Sequence, residues 1–165
     1  APDAPGVPPG LAARLRQVGQ ERVFVLASRG DETRAELGDD PAGWLYLSQR
    51  DIRELQFAKA AIATGWMLLL EEQGLTAADV AQVLLAGSFG SYLSPTSAVR
   101  IGLVPDVALL RIVSAGNVAG EGAKMALLSL RERAAAQALL EEVHYVELSE
   151  RADFNVRFRV RLTFP

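Results

Sequence analysis

Two groups of residues in this sequence have the types and spacing to do chemistry. The first is Ala86-Gly87-Ser88-Phe89-Gly90, which ends the apolar run that starts at Val83. Side chains shrink to almost nothing at Gly87 and Gly90, with one aromatic between them. Small residues at the carboxyl end of a strand let a ligand come close to the backbone, whose N–H groups supply donors, while Phe89 can flank a base. The adenosine and sugar of a nucleotide would suit that pattern. A plain strand-to-helix turn would use the same residues, because glycine-rich turns are common.

The second group is Arg53, Gln56 and Lys59. In the row Ile52, Leu55, Lys59, Ile62, Trp66, Leu69 a lysine interrupts an apolar stripe at helical spacing. A lysine so placed must snorkel, pair with a carboxylate or face a polar cavity. Gln56 and Arg53 lie a turn away, so the first half of the helix carries a polar cluster at one edge. The three form either a solvated flank or one wall of a nucleotide pocket beside the glycine turn.

Other candidates are weaker. "SAGNVAGEGAK" (Ser114–Lys124) is not a Walker A loop, because Ala123 separates Gly122 from Lys124 and no Ser or Thr follows. Its glycines fit close helix packing, with Asn117 either at positive φ or capping a helix. His144 stands alone and reads as structural or exposed. Arg157, Arg159 and Arg161 would share one face of a strand, more naturally a solvated face than an anion or partner surface.

Composition excludes several classes. With no cysteine there is no disulfide, thiol catalysis, Cys-ligated zinc or iron–sulfur cluster in this chain, and one histidine excludes imidazole-pair metal sites. A net charge of −3 gives no global reason to expect nucleic acid as a partner. Apolar runs such as Gly65–Leu70 are far short of a membrane span, so the chain is expected to be cytoplasmic with no membrane partner. Half of the residues are hydrophobic and 22% charged, ordinary for a folded domain. Four prolines among the first ten residues resemble a linker and suggest a fragment of a longer chain. Residues 1–20 are therefore expected as a Pro-rich lead with a short helix, and 21–165 as the domain.

The elements that must position these residues follow from pattern. Leu11–Val18 reads as a short helix, Arg22–Ser28 and Gly43–Ser48 as strands, with a charged turn at residues 29–33 between them. Ser48 and Asp51 make a capping-box variant at the start of the strongest helix, which Gly74 ends. Thr76–Val80 is a short capped turn leading into the Val83–Ala86 strand, expected to be buried. Ser94-Pro95 starts another helix. Ala108–Asn117 is a strand into a Gly-Asn turn, and Val118–Val143 is helical in two segments meeting near Ser129. His144–Leu148 is a short strand. From Phe154 to Phe164 apolar residues alternate with polar ones, which by period is a strand. The alternation of helices and strands predicts an α/β fold with a partly parallel, mixed sheet and packed helices, and ligands in such sheets sit at the carboxyl ends of strands.

"SQRDIRELQFAKAAIATG", "GLTAADVAQVLLAGSFGSYLSPTSAVRIGLVP", "GNVAGEGAKMALLS" and "YVELS" with its later "F" and "FP" resemble, in order, the C-terminal part of reductive activators of corrinoid-dependent proteins. These are ferredoxin-like ATPases of the actin, sugar-kinase and heat-shock-chaperone superfamily. The resemblance covers residues 47–165. It implies the C-terminal subdomain of an actin-like (ribonuclease-H-like) ATPase and an ATP-dependent return of cobalt(II) corrinoid proteins to cobalt(I). It assigns Ala86, Gly87, Ser88, Phe89 and Gly90 to the adenosine side of the nucleotide site, with Arg53, Gln56 and Lys59 as helix-side contacts. It implies ATP with magnesium held by a lobe outside this chain, and an iron–sulfur cluster in a cysteine-bearing part also outside it. No catalytic residue is carried over, so this chain alone should neither hydrolyse ATP nor move electrons. The implied partner is a corrinoid protein or cobalamin-dependent methyltransferase, with a homodimer left open. A helix over residues 153–160 is also implied, against the alternation. The alternatives are a small-molecule kinase lobe of the same superfamily and a non-catalytic docking or dimerisation module.

Overall fold

The computed structural model describes residues 8–29 and 40–165. Most of the Pro-rich lead and most of the charged turn lie outside them. The chain divides into two compact units, Ala1–Phe57 and Ala58–Pro165.

In the first unit, a single turn of helix (α1, Pro9–Ala12) has Pro9 in its first turn, where its missing N–H costs nothing. It is followed by strand β1 (Leu15–Val18), β2 (Glu21–Ser28) and β3 (Trp44–Ser48), a three-stranded antiparallel sheet in the order β1-β2-β3. The helix expected over Leu11–Val18 is therefore one helical turn and a strand. Eight residues are too few to hold a helix unaided. Gly19, at φ +61, lets the chain reverse so that Leu15 pairs with Phe24 and Val18 with Glu21. Val23 and Val25 point inward and are fully buried, and a bulge between Val25 and Ala27 shifts the register with β3.

Helix α2 (Gln49–Glu72, 24 residues) starts in the first unit. Its capping box is complete: the Asp51 N–H donates to Ser48 Oγ at 3.2 Å, and the Ser48 N–H donates to Asp51 Oδ2 at 2.8 Å. Those bonds from Ser48 hold the Asp51 carboxyl below its ordinary pKa. Gly74, at φ +66, ends the helix: its N–H donates to the Glu71 carbonyl and that of Leu75 to the Leu70 carbonyl, a Schellman close.

The second unit is built on two parallel strands, β4 (Val83–Ala86) and β5 (Ile112–Gly116), with Val83 opposite Ile112 and Leu85 opposite Ser114. Leu85, Ala98, Leu103, Val104 and Ile112 form the core beneath them, with Val83, Leu93, Val99, Ile101 and Val107 packed around it. The β4 strand is not buried along its length: Leu85 is, but Leu84 is 59% exposed. After β4 come one turn of helix, α3 (Gly87–Gly90), and α4 (Pro95–Arg100), capped by Ser94. After β5 come α5 (Val118–Leu128) and α6 (Leu130–Glu142), which meet at Ser129 as the sequence predicts, its Oγ accepting from the Glu132 N–H at 3.2 Å.

Two expectations at the end of the chain change. His144–Leu148 is not a strand: residues 144–147 are irregular backbone and Leu148 opens a 3-10 turn, with no strand among the described residues paired to them. Phe154–Val160 is helix α7, so the alternation of apolar and polar residues there does not make a strand, and the helix implied over residues 153–160 is found. Phe154 and Phe158, one helical turn apart, stack with ring centroids 6.1 Å apart. No helix among the described residues is long and apolar enough to cross a membrane.

Candidate functional site

The turn after β4 owes its shape to two glycines with different jobs. Gly87 sits at φ +85, a left-handed conformation that a side chain would strain, yet a Cβ built there meets nothing within 4 Å. Gly90 is buried against the strand it has just left: a Cβ there would lie 2.9 Å from the Leu85 carbonyl carbon. One residue permits the reversal and the other permits the close return. The turn is held by its own backbone, with the Ser91 N–H and Oγ both donating to the Gly87 carbonyl, at 3.2 and 3.1 Å, and the Tyr92 N–H donating to the Phe89 carbonyl at 3.2 Å.

Ala86, Ser88 and Phe89 are left exposed by this arrangement, Phe89 at 77%. An aromatic ring this open gains little from the fold, and no packing need explains it. Tyr92, which sequence reasoning did not single out, is 91% exposed three residues further on. Its i, i+3 spacing from Phe89 across a turn was the signal that could have found it. The turn therefore leaves the small residues Ala86 and Ser88 exposed beside two exposed aromatic rings.

Arg53 and Gln56 belong to the first unit. Arg53 is exposed and lines a cleft of about 500 Å³ together with Gln20, Glu21, Arg22, Gln49 and Val18. Arg22 is a second guanidinium in that cleft, placed there by the hairpin of β2 with β1, whose residues Leu15–Val18 were expected to be helical. Gln56 is half-buried.

Lys59 has a different occupation from the one expected. It is 2% exposed, its Nζ donates to the Thr163 carbonyl at 2.5 Å, and it lies 5.3 Å from the centroid of the Phe164 ring. Burial, followed by the nearby Arg161 charge, lowers its pKa from the usual lysine value. The ammonium is thus held by the chain's own C-terminal residues. The apolar seam that drew attention to it is also not the buried face of α2. Leu55, Ile62 and Leu69 are 42%, 53% and 47% exposed, whereas Ala60, Ala63, Thr64, Gly65 and Leu68 are buried. Small residues allow neighbouring segments to approach the helix axis, and a count of large apolar residues misses them. Ile62, Trp66, Leu69 and Leu70 instead border an apolar groove of about 290 Å³ with Val83 and Leu103, where the Trp66 Nε1–H donates to the Leu103 carbonyl at 3.2 Å.

At the other glycine turn, Asn117 has φ −84 and caps α5, its Oδ1 accepting from the Gly120 N–H at 3.1 Å. Gly122 has nothing within 4 Å of an added Cβ, so it does not serve close packing. Among the described residues no group of three His, Asp or Glu could hold a metal ion.

The two separate sheets, one antiparallel and one parallel where a single mixed sheet was expected, together with packed helices make an α/β chain, which agrees with comparison to known families. A family model described as the C-terminal domain of RACo, the ASKHA domain, matches residues 11–165, and the chain belongs to that family. Among individual proteins it is similar to the corrinoid activation enzyme RamQ of Eubacterium limosum, 35% identical over 128 residues. That alignment takes in 77% of this chain and 22% of the relative, so the chain spans about a fifth of the relative's length.

Proposed function

We propose that this chain contributes the adenosine side of a nucleotide site in a protein that uses ATP to return corrinoid proteins from cobalt(II) to cobalt(I). The observation that carries the reading is the turn Gly87–Gly90: open at Gly87, closed onto β4 at Gly90 and edged by an exposed Phe89, in a domain of the ASKHA family. Ala86, Gly87 and Ser88 would lie under the sugar, where only small side chains leave room. Phe89 would pack against the base, and Gly90 keeps the turn tight enough to present both. Lys59 would serve by holding α2 to the tail it binds.

The relative's name supports a role in corrinoid activation, with a corrinoid protein or its methyltransferase as the partner. Reduction of cobalt(II) is unfavourable, and nucleotide binding or hydrolysis would drive a conformational change that couples it to a favourable event. An adenosine-contacting turn is the part of such a device that this chain has residues to supply. A cysteine-held redox group is not among them, since the chain has no cysteine, and neither is a phosphate motif of Asp-x-Gly-Thr type, since no such sequence occurs.

The test is ATP titration of the full-length protein carrying Gly87→Asp or Phe89→Ala. Loss of one base–aromatic contact is worth about tenfold in affinity or more, and Gly87→Asp adds a carboxylate and a strained φ at the same spot. Unchanged ATP affinity in both variants would show that the turn is only a turn.

A further inference from the structure

The segment Arg151–Pro165 touches α2 in a regular order. Arg151 Nη1 is 3.0 Å from Glu72 Oε2, Arg157 Nη1 is 2.6 Å from Glu71 Oε1, Arg161 Nη2 is 3.0 Å from Met67 Sδ, and the Thr163 carbonyl takes the Lys59 ammonium. As residue numbers rise in the segment they fall along α2, so the segment runs antiparallel to the helix. Its last residue meets Gly102: a Cβ built at Gly102, which has φ +72, would lie 3.1 Å from the Pro165 ring.

What fastens this segment is unlike what holds β4 and β5. No residue of α7 is buried, whereas β4 and β5 sit on a closed apolar core. The three arginine contacts are at least partly open to water, and exposed pairs of this kind are weak and screened by salt. Lys59 is the one fully buried group in the set, and among the described residues a single oxygen, that of Thr163, accepts from its ammonium. Segments with little apolar burial open locally at a free energy below that of the whole unit.

We propose that Arg151–Pro165 is a strap over α2 that opens on its own, without unfolding of the β4–β5 core, and that Lys59 is the residue that fastens its end. When the strap is open, Lys59 regains water and becomes a free cation on α2. When it is closed, that charge is covered.

Amide hydrogen exchange on the protein tests this directly. Amides of residues 157–163 should exchange faster than those of β4 and β5, and Lys59→Met should speed the strap amides while leaving the strand amides at their original rates. Glu71→Lys, a surface change that sets like charge against Arg157, should speed the strap by about twofold to fivefold, the range that exposed pairs span. This second variant decides the matter if Lys59→Met destabilises the whole unit. The proposal is overturned if strap and strand amides exchange at one common rate, or if Glu71→Lys leaves the strap amides unmoved.

Discussion

The second unit contains the same turn twice, with opposite results. Strands β4 and β5 run parallel, and each leads through a glycine at positive φ into a helix, Gly87 at +85 and Gly116 at +65. After β5 the turn satisfies itself. Asn117 caps α5, and Gly120 lies so close that an added Cβ would meet the Asn117 amide nitrogen at 2.5 Å. After β4 no side chain caps the start of α3, which stops after four residues, and Phe89 and Tyr92 face water. A glycine-rich strand end is therefore not evidence of a site by itself. The distinguishing feature is whether a side chain from the next few residues already occupies the space that the glycines open.

Substitution of the inner glycine of each turn should separate them most. At Gly90 an added methyl meets backbone atoms of Leu85, which can yield only by moving β4. Gly90→Ala should destabilise the protein by about 1–3 kcal/mol, the usual cost of overpacking a fixed neighbour, and should weaken ATP along with stability. At Gly120 the methyl meets the far end of a side chain that can rotate away. The lost cap costs about 1 kcal/mol, and the gain of Ala over Gly within a helix returns nearly as much. Gly120→Ala should therefore shift the melting temperature little. Thermal unfolding of the two variants side by side is the measurement, and equal losses would erase the contrast drawn between the turns.

Next in size is the cap itself. Asn117→Ala removes the bond to the Gly120 N–H and leaves the helix propensity of Gly120 as it was. A loss of about 0.5–2 kcal/mol is expected in denaturant unfolding. Phe89→Ala is the counterpart after β4: with the ring 77% exposed, stability should change by less than about 0.5 kcal/mol. On the proposed function, stability would then depend on Asn117 and nucleotide affinity on Phe89.

The same contrast explains what could be read from the sequence. Ends were legible where a residue acts on its immediate neighbours: Ser48 with Asp51, Gly74, Ser94 with Pro95, Asn117 and Ser129 all do what their types favour. Faces were not. Whether α2 buries Leu55, Ile62 and Leu69 or the small residues Ala60, Ala63 and Thr64 depends on which segments come close, and the strap that claims Lys59 is about a hundred positions away. Leu15–Val18 is a strand because β2 is there to bond it, and Phe154–Val160 is a helix although its alternation fits a strand. Of the candidate site, the turn was legible because its chemistry is local. The companion Arg22 and the tail contact of Lys59 were not, because each needs a partner brought by the fold.

The smallest effect should come from acid, at the turn that feeds β4. Thr76 Oγ1 donates to Asp79 Oδ2 at 2.7 Å and the Thr76 N–H to the same oxygen at 2.9 Å. These bonds, the hydroxyl's first, favour the charged carboxylate and hold the Asp79 pKa below its ordinary 3.8. A carboxyl with a lowered folded pKa binds protons more readily when the chain is unfolded, so its contribution is complete above the unfolded value and is lost as pH falls through the folded one. Asp51, with its pKa lowered by Ser48, behaves alike at the start of α2. Asp79→Asn should flatten part of the acid limb of a stability–pH curve below about pH 4 and leave stability above pH 5 lower than that of the unaltered chain by a nearly constant amount. Because this cap precedes β4 and touches neither glycine turn, its loss should leave the ATP affinities of the Phe89 and Asn117 variants in the same order. A reversal of that order would mean that the β4 turn depends on its approach as well as on its glycines.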